Sequence, residues 1–403
     1  MSFAHVLPDR PKQLLPREAY ISEAWLALER EHLFNKAWTF AGAVNALAHP
    51  GDYLTLTVGT SPLIVLRTGQ GELRAYHNLC RHRGTELLEG CGQLKSTIVC
   101  PYHRWTFDLE GRLRGVLNQQ DCFPDIDKAE LGLLPASLGV FKGLVFVHPD
   151  AEPDLSFDKW LGGLADVAWP YDVSDAKLHP GDEIVYEMKC NWKVFYENAI
   201  DGYHLAYLHE NTLGSLFPDA NVWVAHGQNL IWYSTEREGE KRALPTLVES
   251  MLGDLWARKI DSQDEGRYGG VYMLFPSTIV TPSAYGVTVS QLVPVSAGVT
   301  LLKARTWAPA GSLGRYGRAR DMEGYDKARG VISSAQWKKH PLESGDFQME
   351  DVWICEKMQR SLMSPAYRVG ALARGAGAEA PIEHFQRCLL DYLPAEARPA
   401  DVF

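Results

Sequence analysis

The chain has 403 residues, which is enough for two domains with full cores, and its 46% hydrophobic and 22% charged residues are typical of a soluble globular protein. A net charge of −10 argues against a nucleic-acid-binding protein, because the phosphate backbone would repel it. No apolar run is long enough to span a bilayer and the N-terminus has no export-signal pattern, so we expect a cytoplasmic protein without membrane contacts. The seven cysteines are therefore expected to be reduced thiols or metal ligands.

The N-terminal third of the chain combines a helical segment with a β-rich segment. Residues 18–39 have the apolar periodicity of a helix. Residues 52–148 contain short β-rich runs separated by turn signals such as TGQGE and DLEGR, which predicts an antiparallel sheet domain. The Pro- and Asp-rich segment 149–160 is expected to be its boundary. The predicted domains are 40–155 and, together, 1–39 and 156–403.

The remainder of the chain mixes strands and helices. Residues 183–210 start like a strand and continue like a helix, and residues 267–307 are predicted to form three or four antiparallel strands. Residues 346–362 have the pattern of an amphipathic helix. These elements together predict the α+β class.

Two short motifs at predicted hairpin tips, CRHRG (80–84) and CPYHRW (100–105), contain candidate metal ligands. Thiolate and imidazole suit zinc or an iron–sulfur centre. Zinc fingers usually open with two cysteines, whereas a Rieske [2Fe–2S] centre uses two cysteines on one iron and two histidines on the other. Zinc, or four packed residues without metal, are the alternatives. We expect nearby arginines to offset the cluster charge, and Gly84 to leave room for a close backbone approach. The candidate ligands are Cys80, His82, Cys100 and His103, and the arginines are Arg81, Arg83 and Arg104.

A second set of candidate ligands lies in ENAIDGYHLAYLHEN. Asp201 and His204 are three residues apart and are expected to share a helix face. His209 lies five residues beyond His204, which indicates that the helix bends or ends there. Two histidines and one carboxylate form the facial triad of non-haem Fe(II) oxygen enzymes, so a third ligand is expected elsewhere in the chain. Taken alone, both histidines are equally compatible with ordinary core or surface positions.

The two motifs together resemble a known family. C-x-H-x17-C-x2-H is similar to the Rieske motif, and D-x2-H-x4-H is similar to the segment found in Rieske non-haem iron oxygenase α subunits. Electron-transport Rieske proteins usually have two further cysteines, where this chain has Thr85 and Tyr102, so the oxygenase branch is favoured. The resemblance covers nearly the whole chain. It implies an antiparallel β Rieske domain followed by a helix-grip (START/Bet v1-like) catalytic domain.

The resemblance also implies the third iron ligand. The family places a carboxylate on a late helix in a pattern that resembles Asp-x4-Glu-x2-Gln, which Asp351, Glu356 and Gln359 meet. Asp351 is therefore the predicted ligand, and the alternatives are Glu350 and Asp346.

The resemblance implies that a carboxylate near the histidines carries electrons between subunits. In the family this residue bridges an iron-site histidine and a Rieske histidine across a subunit boundary, so Asp201 would link His204 of one subunit to His103 of the next. Such a second carboxylate also fixes the histidine tautomer. Asn198 is predicted to lie beside the iron ligands.

The bridge implies a head-to-tail homotrimer, because such an interface closes by rotation. The resemblance further implies a [2Fe–2S] Rieske cluster, a mononuclear Fe(II) and O2 as cofactors. It also implies that electrons come from NAD(P)H through a reductase, with or without a ferredoxin, and the reductase is expected to be a separate protein because the chain has no G-x-G-x-x-G fingerprint. The presence of a β subunit stays open.

The expected reaction is hydroxylation or oxidative demethylation of a small organic molecule, of aromatic or quaternary-ammonium type. The helix ED-x-x-I-C-E-x-x-Q-R-S-L is similar to that of the quaternary-ammonium group. Ring cis-dihydroxylation is one alternative, and a Rieske electron-transfer protein without oxygenase activity is another. Aromatic side chains could stack on a ring or enclose a quaternary ammonium group. The predicted pocket residues are Leu205, Phe217, Trp223, Trp232, Tyr272, Met273 and Phe275.

Overall fold

The computed structural model describes residues 7–167, 169, 171–212, 220–235, 267–283, 286–375 and 379–398. The chain divides into two compact units, one formed by Glu29–Lys159 and the other by Met1–Leu28 with Trp160–Phe403. In the described residues, no helix has both the length and the apolar character that crossing a membrane requires.

The predicted N-terminal helix is present as a series of short helical segments. These are α1 (Glu18–Ile21), α2 (Glu23–Leu28), a π-helical turn (Glu29–Leu33) and a 3-10 turn (Phe34–Lys36).

The unit Glu29–Lys159 starts earlier than the domain boundary predicted at residue 40. Asn35 Oδ1 accepts a hydrogen bond of 3.0 Å from the Thr60 backbone N–H. Trp38 Nε1 donates one of 2.8 Å to the Leu155 carbonyl. These contacts join the segment before the first strand to later residues of the same unit.

The predicted β-rich segment forms two antiparallel sheets in this unit. One sheet has the order β1-β10-β9-β4-β3-β2-β5, and the other has the order β6-β7-β8. The short helices α3 (Gln119–Cys122) and α4 (Phe157–Leu161) follow the second sheet and the last strand. The strands are β1 (Thr39–Ala43), β2 (Asp52–Val58), β3 (Ser61–Arg67), β4 (Leu73–His77), β5 (Cys91–Gln93), β6 (Thr97–Val99), β7 (Thr106–Asp108), β8 (Leu113–Gly115), β9 (Pro135–Phe141) and β10 (Leu144–His148).

Strand β3 is buried on both faces, because its side chains alternate between two cores. Leu63 and Val65 belong to one apolar cluster with residues of β10. Ile64 and Leu66 belong to the other, which also contains Cys80 and Cys100. The two candidate thiolate ligands are therefore fixed by a close-packed core.

The described strands of the second unit form a long sheet in the order β13-β14-β15-β16-β17-β18-β12-β20-β19, with β11 paired to β18. Its ladders are antiparallel except the parallel pair β12–β20. The four strands β15 to β18 confirm the prediction for residues 267–307. The strands are β11 (Leu178–Pro180), β12 (Ile184–Met188), β13 (Ala220–His226), β14 (Asn229–Thr235), β15 (Arg267–Leu274), β16 (Thr278–Ser283), β17 (Gly286–Ser296), β18 (Val299–Pro309), β19 (Tyr325–Asp326) and β20 (Val331–Ser333).

In the part of this unit that the structure describes, the helices beside the sheet are α5 (Trp192–Ala199), α6 (Leu205–Leu208), α7 (Phe347–Leu362) and α8 (Ala380–Tyr392). Helix α5 contacts both strand β17 and helix α7. The α+β class predicted from the sequence is thus confirmed, with antiparallel sheets and helices packed against them.

Side-chain hydrogen bonds fix α7 next to α5. Gln359 Oε1 accepts a hydrogen bond of 2.9 Å from the Asn191 backbone N–H, directly before α5. Glu356 Oε1 accepts one of 3.0 Å from the Lys189 N–H. At the start of α7, Asp346 is the N-cap and accepts a hydrogen bond of 2.9 Å from the Gln348 N–H. The Glu and Gln of the Asp-x4-Glu-x2-Gln pattern thus bond to the segment directly before α5.

Candidate metal centres

The two histidines of the first motif pair converge on one point. His82 Nδ1 and His103 Nδ1 lie 3.1 Å apart. His82 stacks on Trp105, with ring centroids 4.9 Å apart and an interplanar angle of 11°. Cys80 and Cys100 are buried in the same core cluster. A pair of histidines with adjacent ring nitrogens and a pair of cysteines buried in one core cluster fit a centre with a histidine-bound and a cysteine-bound iron.

Both motifs fold into the same kind of turn. The Gly84 N–H donates 2.9 Å to the Cys80 carbonyl, and the Arg104 N–H donates 3.1 Å to the Cys100 carbonyl. Gly84 has φ 72° and Arg104 has φ 62°, so each turn ends in the left-handed region. A Cβ at Gly84 would meet no atom within 4 Å. Glycine is therefore favoured here for its backbone conformation.

The local environment favours neutral imidazole at His82. Burial lowers the pKa of His82, and the charges of His103 and Arg83 lower it further. Burial raises the pKa of the Cys80 thiol in the metal-free chain. Binding of a metal deprotonates such a thiol, so assembly of the cluster releases protons. Of the neighbouring arginines, Arg83 lies over the Tyr102 ring at 5.3 Å from its centroid, and Arg81 donates 2.7 Å to the Gly132 carbonyl.

In the second unit, three predicted ligands come together. His204 Nε2 and His209 Nε2 lie 3.2 Å apart, and Asp351 Oδ1 lies 3.0 Å from His209 Nε2 and 3.7 Å from His204 Nε2. Their ligand atoms all lie within 4.8 Å of one another. Two ligands that each bind one metal at roughly 2.1 Å, at right angles, lie about 3 Å apart. The three side chains therefore fit a single metal ion, and the set of two histidines and one carboxylate suits non-haem Fe(II).

The backbone around these ligands differs from the predicted single helix. Helix α5 ends at Ala199, and His204 and His209 are the N-cap and C-cap of the four-residue α6. The prediction that the helix ends at His209 is thus confirmed. Asp201 lies in the loop between α5 and α6 rather than on a helix face shared with His204. The loop still brings Asp201 Oδ2 to 3.1 Å from His204 Nδ1.

Glu350 and Asp346, the alternative candidates for the third iron ligand, contact other groups. Glu350 is 1% exposed, and its Oε2 lies 2.6 Å from His209 Nδ1 and 2.6 Å from Thr212 Oγ1. Asp346 is occupied as the N-cap of α7. Asn198 Nδ2 donates a hydrogen bond of 2.8 Å to Asp351 Oδ1.

Charge around His209 favours the protonated imidazole in the metal-free chain. Burial lowers the pKa of His209, but hydrogen bonds and charges of Asp351 and Glu350 outweigh it, so the pKa is raised. A metal ion at Nε2 competes with that proton, so iron binding to this site weakens as the pH falls.

A cavity of about 250 Å³ adjoins the three ligand side chains. Its wall is mostly apolar and aromatic. It is lined by His204, His209 and Asp351 together with, among others, Phe195, Leu205, Trp223, Trp232, Phe347 and Gln348. A second depression of about 550 Å³, beside Glu183 and Arg305, is lined by none of the candidate ligands. The smaller cavity is therefore the candidate substrate site.

Three of the predicted pocket residues line this cavity, namely Leu205, Trp223 and Trp232. Tyr272, Met273 and Phe275 do not, and all three are fully buried. On β15 the residue that lines the cavity is Val271, so the next side chain, Tyr272, points to the opposite face, where it stacks on Trp169 at 4.1 Å. Phe275 packs against Phe385 and Tyr392. Phe217 lies outside the described residues.

Sequence reasoning did not find the roles of Phe195, Phe347 and Gln348 in this cavity. Phe347 and Gln348 occupy the first turn of α7, three or four residues before Asp351, so they lie near the ligand on the helix. Phe195 on α5 precedes Asn198 by three residues in the same way. A spacing of three or four residues from Asp351 or Asn198 on the same helix would have indicated these residues.

Comparison with known proteins identifies the family. Residues 37–128 match the Rieske [2Fe–2S] domain, and residues 175–395 match the ring hydroxylating alpha subunit (catalytic domain), which is more than half of the chain. The chain is 37% identical over 205 residues to the glycine betaine monooxygenase oxygenase subunit of Chromohalobacter salexigens, covering 50% of this chain and 44% of that protein. It therefore spans about half the length of the glycine betaine relatives that it matches.

Other relatives align along almost their whole length. The carnitine monooxygenase oxygenase subunit of Acinetobacter baumannii is 27% identical over 389 residues, covering 94% of each protein. A solved quaternary ammonium Rieske monooxygenase, described in connection with carnitine oxidation and inter-subunit electron transfer, superimposes with a TM-score of 0.71 at 25% identity, covering 96% of this chain and 97% of that one. The chain belongs to the ring-hydroxylating alpha-subunit family, with a Rieske domain for a [2Fe–2S] cluster and a catalytic domain for mononuclear iron.

Proposed function

We propose that this protein is the terminal oxygenase of a multicomponent system that hydroxylates, and thereby demethylates, a small methylated ammonium compound. The observation that carries the proposal is the cavity of about 250 Å³ that places the aromatic rings of Trp223 and Trp232 beside His204, His209 and Asp351. Aromatic faces attract quaternary ammonium groups. Among the cavity-lining residues that the structure describes, none is lysine or arginine, so no positively charged side chain would repel a cationic substrate.

The names of several relatives support this substrate class. They are described as oxygenases of glycine betaine, choline and carnitine. Anthranilate 1,2-dioxygenase is also a relative, at 30% identity over 222 residues, and represents ring dihydroxylation, the competing reaction class.

We assign the iron ligands to the side chains whose geometry fits them. Cys80, His82, Cys100 and His103 hold the Rieske cluster, and His204, His209 and Asp351 hold the mononuclear iron. When bound, the two centres supply electrons and activation of O2. Hydroxylation of a methyl C–H consumes O2, two electrons and two protons and yields the C–OH product and water. A hydroxylated N-methyl group then leaves as formaldehyde.

The remaining side chains of the site position the reactants. Asn198 donates a hydrogen bond to Asp351, which leaves that carboxylate fixed in orientation. The apolar walls around Leu205 and Trp232 exclude water from the reacting carbon.

We further propose that Asp201 carries electrons between subunits in a homotrimer, from His103 of one copy to His204 of the next. Its carboxylate contacts His204 Nδ1 at 3.1 Å and is 17% exposed, so it can reach a second partner. The inter-subunit electron transfer described for the similar solved structure supports this role. A separate NAD(P)H-dependent reductase, with or without a ferredoxin, is the electron source.

We also propose a cellular location and a domain division for this chain. All seven cysteines are free, which suits a reducing, cytoplasmic location. The division into a cluster domain, 40–155, and an iron domain, 1–39 with 156–403, is supported by the two compact units.

The test is oxidation of a substrate panel by the iron-reconstituted protein with a reductase. The panel contains choline, glycine betaine and carnitine as methylated ammonium compounds, and benzoate, anthranilate and a methoxyarene as aromatic ones. The proposal predicts equal amounts of demethylated amine and formaldehyde from at least one ammonium compound. Ring diols from the aromatic compounds, with no reaction of the ammonium compounds, would show that the competing class is correct.

A further inference from the structure

The two histidines assigned to the Rieske cluster are covered by different kinds of aromatic side chain. The His82 ring stacks on the buried Trp105 ring and meets Phe123 edge-on, with centroids 5.7 Å apart. The His103 ring instead lies against Tyr102, with centroids 3.7 Å apart and an interplanar angle of 34°. Tyr102 is 56% exposed in the single chain, so its ring is held less by packing than that of Trp105.

Arg83 contacts this exposed tyrosine from the other motif. Its Nη1 donates a hydrogen bond of 3.2 Å to Tyr102 Oη, and its guanidinium carbon lies 5.3 Å from the centre of the Tyr102 ring. Arg83 directly follows His82 in the chain, and Tyr102 directly precedes His103. The contact therefore links the two turns that carry the assigned cluster ligands.

A positive charge held near such a cluster favours its reduced form. Reduction adds one electron, so the attraction between the cluster and the cation increases and the reduction potential rises. The size of this effect depends on how closely the charge is held. A long arginine side chain loses conformational entropy when it is kept in one geometry, and a hydrogen bond to its guanidinium group offsets part of that loss. The Tyr102 hydroxyl accepts such a hydrogen bond.

We propose that Arg83 and Tyr102 act as a pair that raises the reduction potential of the Rieske cluster, with Tyr102 as the positioning residue that keeps the Arg83 charge beside the histidine-bound iron. A general offset of charge by arginines would assign no role to the neutral hydroxyl of Tyr102. Here the loss of that one oxygen atom lowers the potential. The proposal rests on the ligand assignment within the proposed function and is independent of the substrate class.

The experiment is a redox titration of the [2Fe–2S] absorption in the purified holoenzyme. Arg83→Gln removes the charge, whereas Tyr102→Phe keeps the ring beside His103 and removes the hydroxyl. Arg83→Gln is expected to lower the equilibrium constant for reduction about fivefold, the upper range for an exposed charge, which for one electron is about 40 mV. Tyr102→Phe is expected to lower it about twofold, because the charge remains but is held less closely.

The double variant tests whether Tyr102 acts through Arg83. If it does, Tyr102→Phe should lower the potential no further once Arg83 has been replaced by Gln. Arg81→Gln provides the matched background. Arg81 carries the same charge in the same turn, and it donates a hydrogen bond of 2.7 Å to the Gly132 carbonyl. In that background Tyr102→Phe should keep its full effect, a pattern that a merely structural role of Tyr102 would not produce.

Two results would overturn the proposal and leave the proposed function intact. One is a wild-type potential in Tyr102→Phe, and the other is an equal effect of Tyr102→Phe with and without Arg83. If Arg83→Gln does not retain its cluster, the potential of Tyr102→Phe alone and in the Arg81→Gln background decides by the first criterion. Wild-type protein that assembles no [2Fe–2S] cluster would instead refute the ligand assignment, and the proposed function with it.

Discussion

Glu350 and His209 form a buried pair, with Glu350 Oε2 2.6 Å from His209 Nδ1. The next residue on the same helix, Asp351, lies 3.0 Å from the other nitrogen of the same ring. Two consecutive carboxylates thus hold both nitrogens of one imidazole. Glu350 accepts the Nδ1 proton, so the lone pair of Nε2 faces Asp351 and His204, where a metal ion would bind.

This pair predicts that Glu350→Gln weakens binding of the mononuclear iron. A carboxylate behind a ligating histidine typically contributes 10- to 100-fold in metal affinity, so we expect a loss of about that size. The measurement is a titration of the mononuclear site with Fe(II), or with Co(II) as a spectroscopic probe, while the [2Fe–2S] absorption reports the intact cluster.

Glu356→Gln is the matched control, because Glu356 is a buried carboxylate on the same helix that bonds to Lys189 and Ser334 instead. It should leave the metal affinity unchanged. Equal loss in both variants would mean that Glu350 acts only through helix stability.

Replacing one proposed iron ligand should empty one centre and spare the other. His204→Ala is expected to lower the mononuclear iron content to near zero, because two remaining ligands hold the ion poorly, while the brown Rieske absorption is retained. Metal analysis gives the total iron content, and acid-labile sulfide gives the content of the [2Fe–2S] cluster. Iron retained at the wild-type level would remove His204 from the ligand set.

Asp201→Asn tests the electron bridge. Asp201 contacts His204 Nδ1 but is not itself in the triad, so both metal centres should be occupied when Fe(II) is supplied in excess, even if the affinity for iron falls. Re-oxidation of the reduced cluster in the presence of substrate and O2 should slow by about 100-fold, the upper range for loss of an outer carboxylate. Stopped-flow absorption measures this rate. A wild-type rate in a variant that keeps its metals and its oligomeric state would refute the bridge.

Asp108 stabilises the β7–β8 hairpin in a pH-dependent way. Its carboxylate accepts hydrogen bonds from Arg112 Nε at 2.8 Å and Arg114 Nε at 2.7 Å. Burial raises the pKa of Asp108, but the Arg112 backbone N–H and the guanidinium groups of Arg112 and Arg114 outweigh it, so the pKa is lowered from 3.8.

Since the pKa of Asp108 is lower in the folded chain than in the unfolded one, its stabilisation is present above pH 3.8 and is lost as the pH falls through the folded-state pKa. Asp108→Asn should therefore destabilise the protein by about 1 kcal/mol, equally at pH 6 and pH 8. Thermal melts followed by cluster absorption measure the difference. A difference that changes between these two pH values would contradict the assignment.

The sequence predicted those features that depend on local pattern. The β-rich runs of residues 52–148 predicted an antiparallel sheet domain, which is present there, and 347–362 is helix α7 as expected. The motif spacings also predicted the sets of residues that the fold brings together. His82 meets His103 and His209 meets Asp351, although 142 residues separate the latter pair.

Tertiary packing decided what the sequence did not predict. Tyr272 and Phe275 look like pocket aromatics in a strand-rich segment, but strand alternation and the contacts with Trp169 and Phe385 turn them into core residues. Packing also decided the role of Glu350. It is adjacent to Asp351 and chemically equivalent to it, and only the rotation of helix α7 directs it to Nδ1 of His209 rather than to the metal side.

The most direct test of the account is a single turnover of chemically reduced, iron-loaded protein with O2 and the best methylated ammonium compound. The account predicts that wild-type protein re-oxidises its cluster when substrate is present and forms up to one formaldehyde and one demethylated amine per iron site. His204→Ala, with an intact cluster, should form neither product. Cluster oxidation without product in the wild type, or wild-type product yield in the His204 variant, would contradict the claim that this chain oxidises its substrate at the His204–His209–Asp351 site.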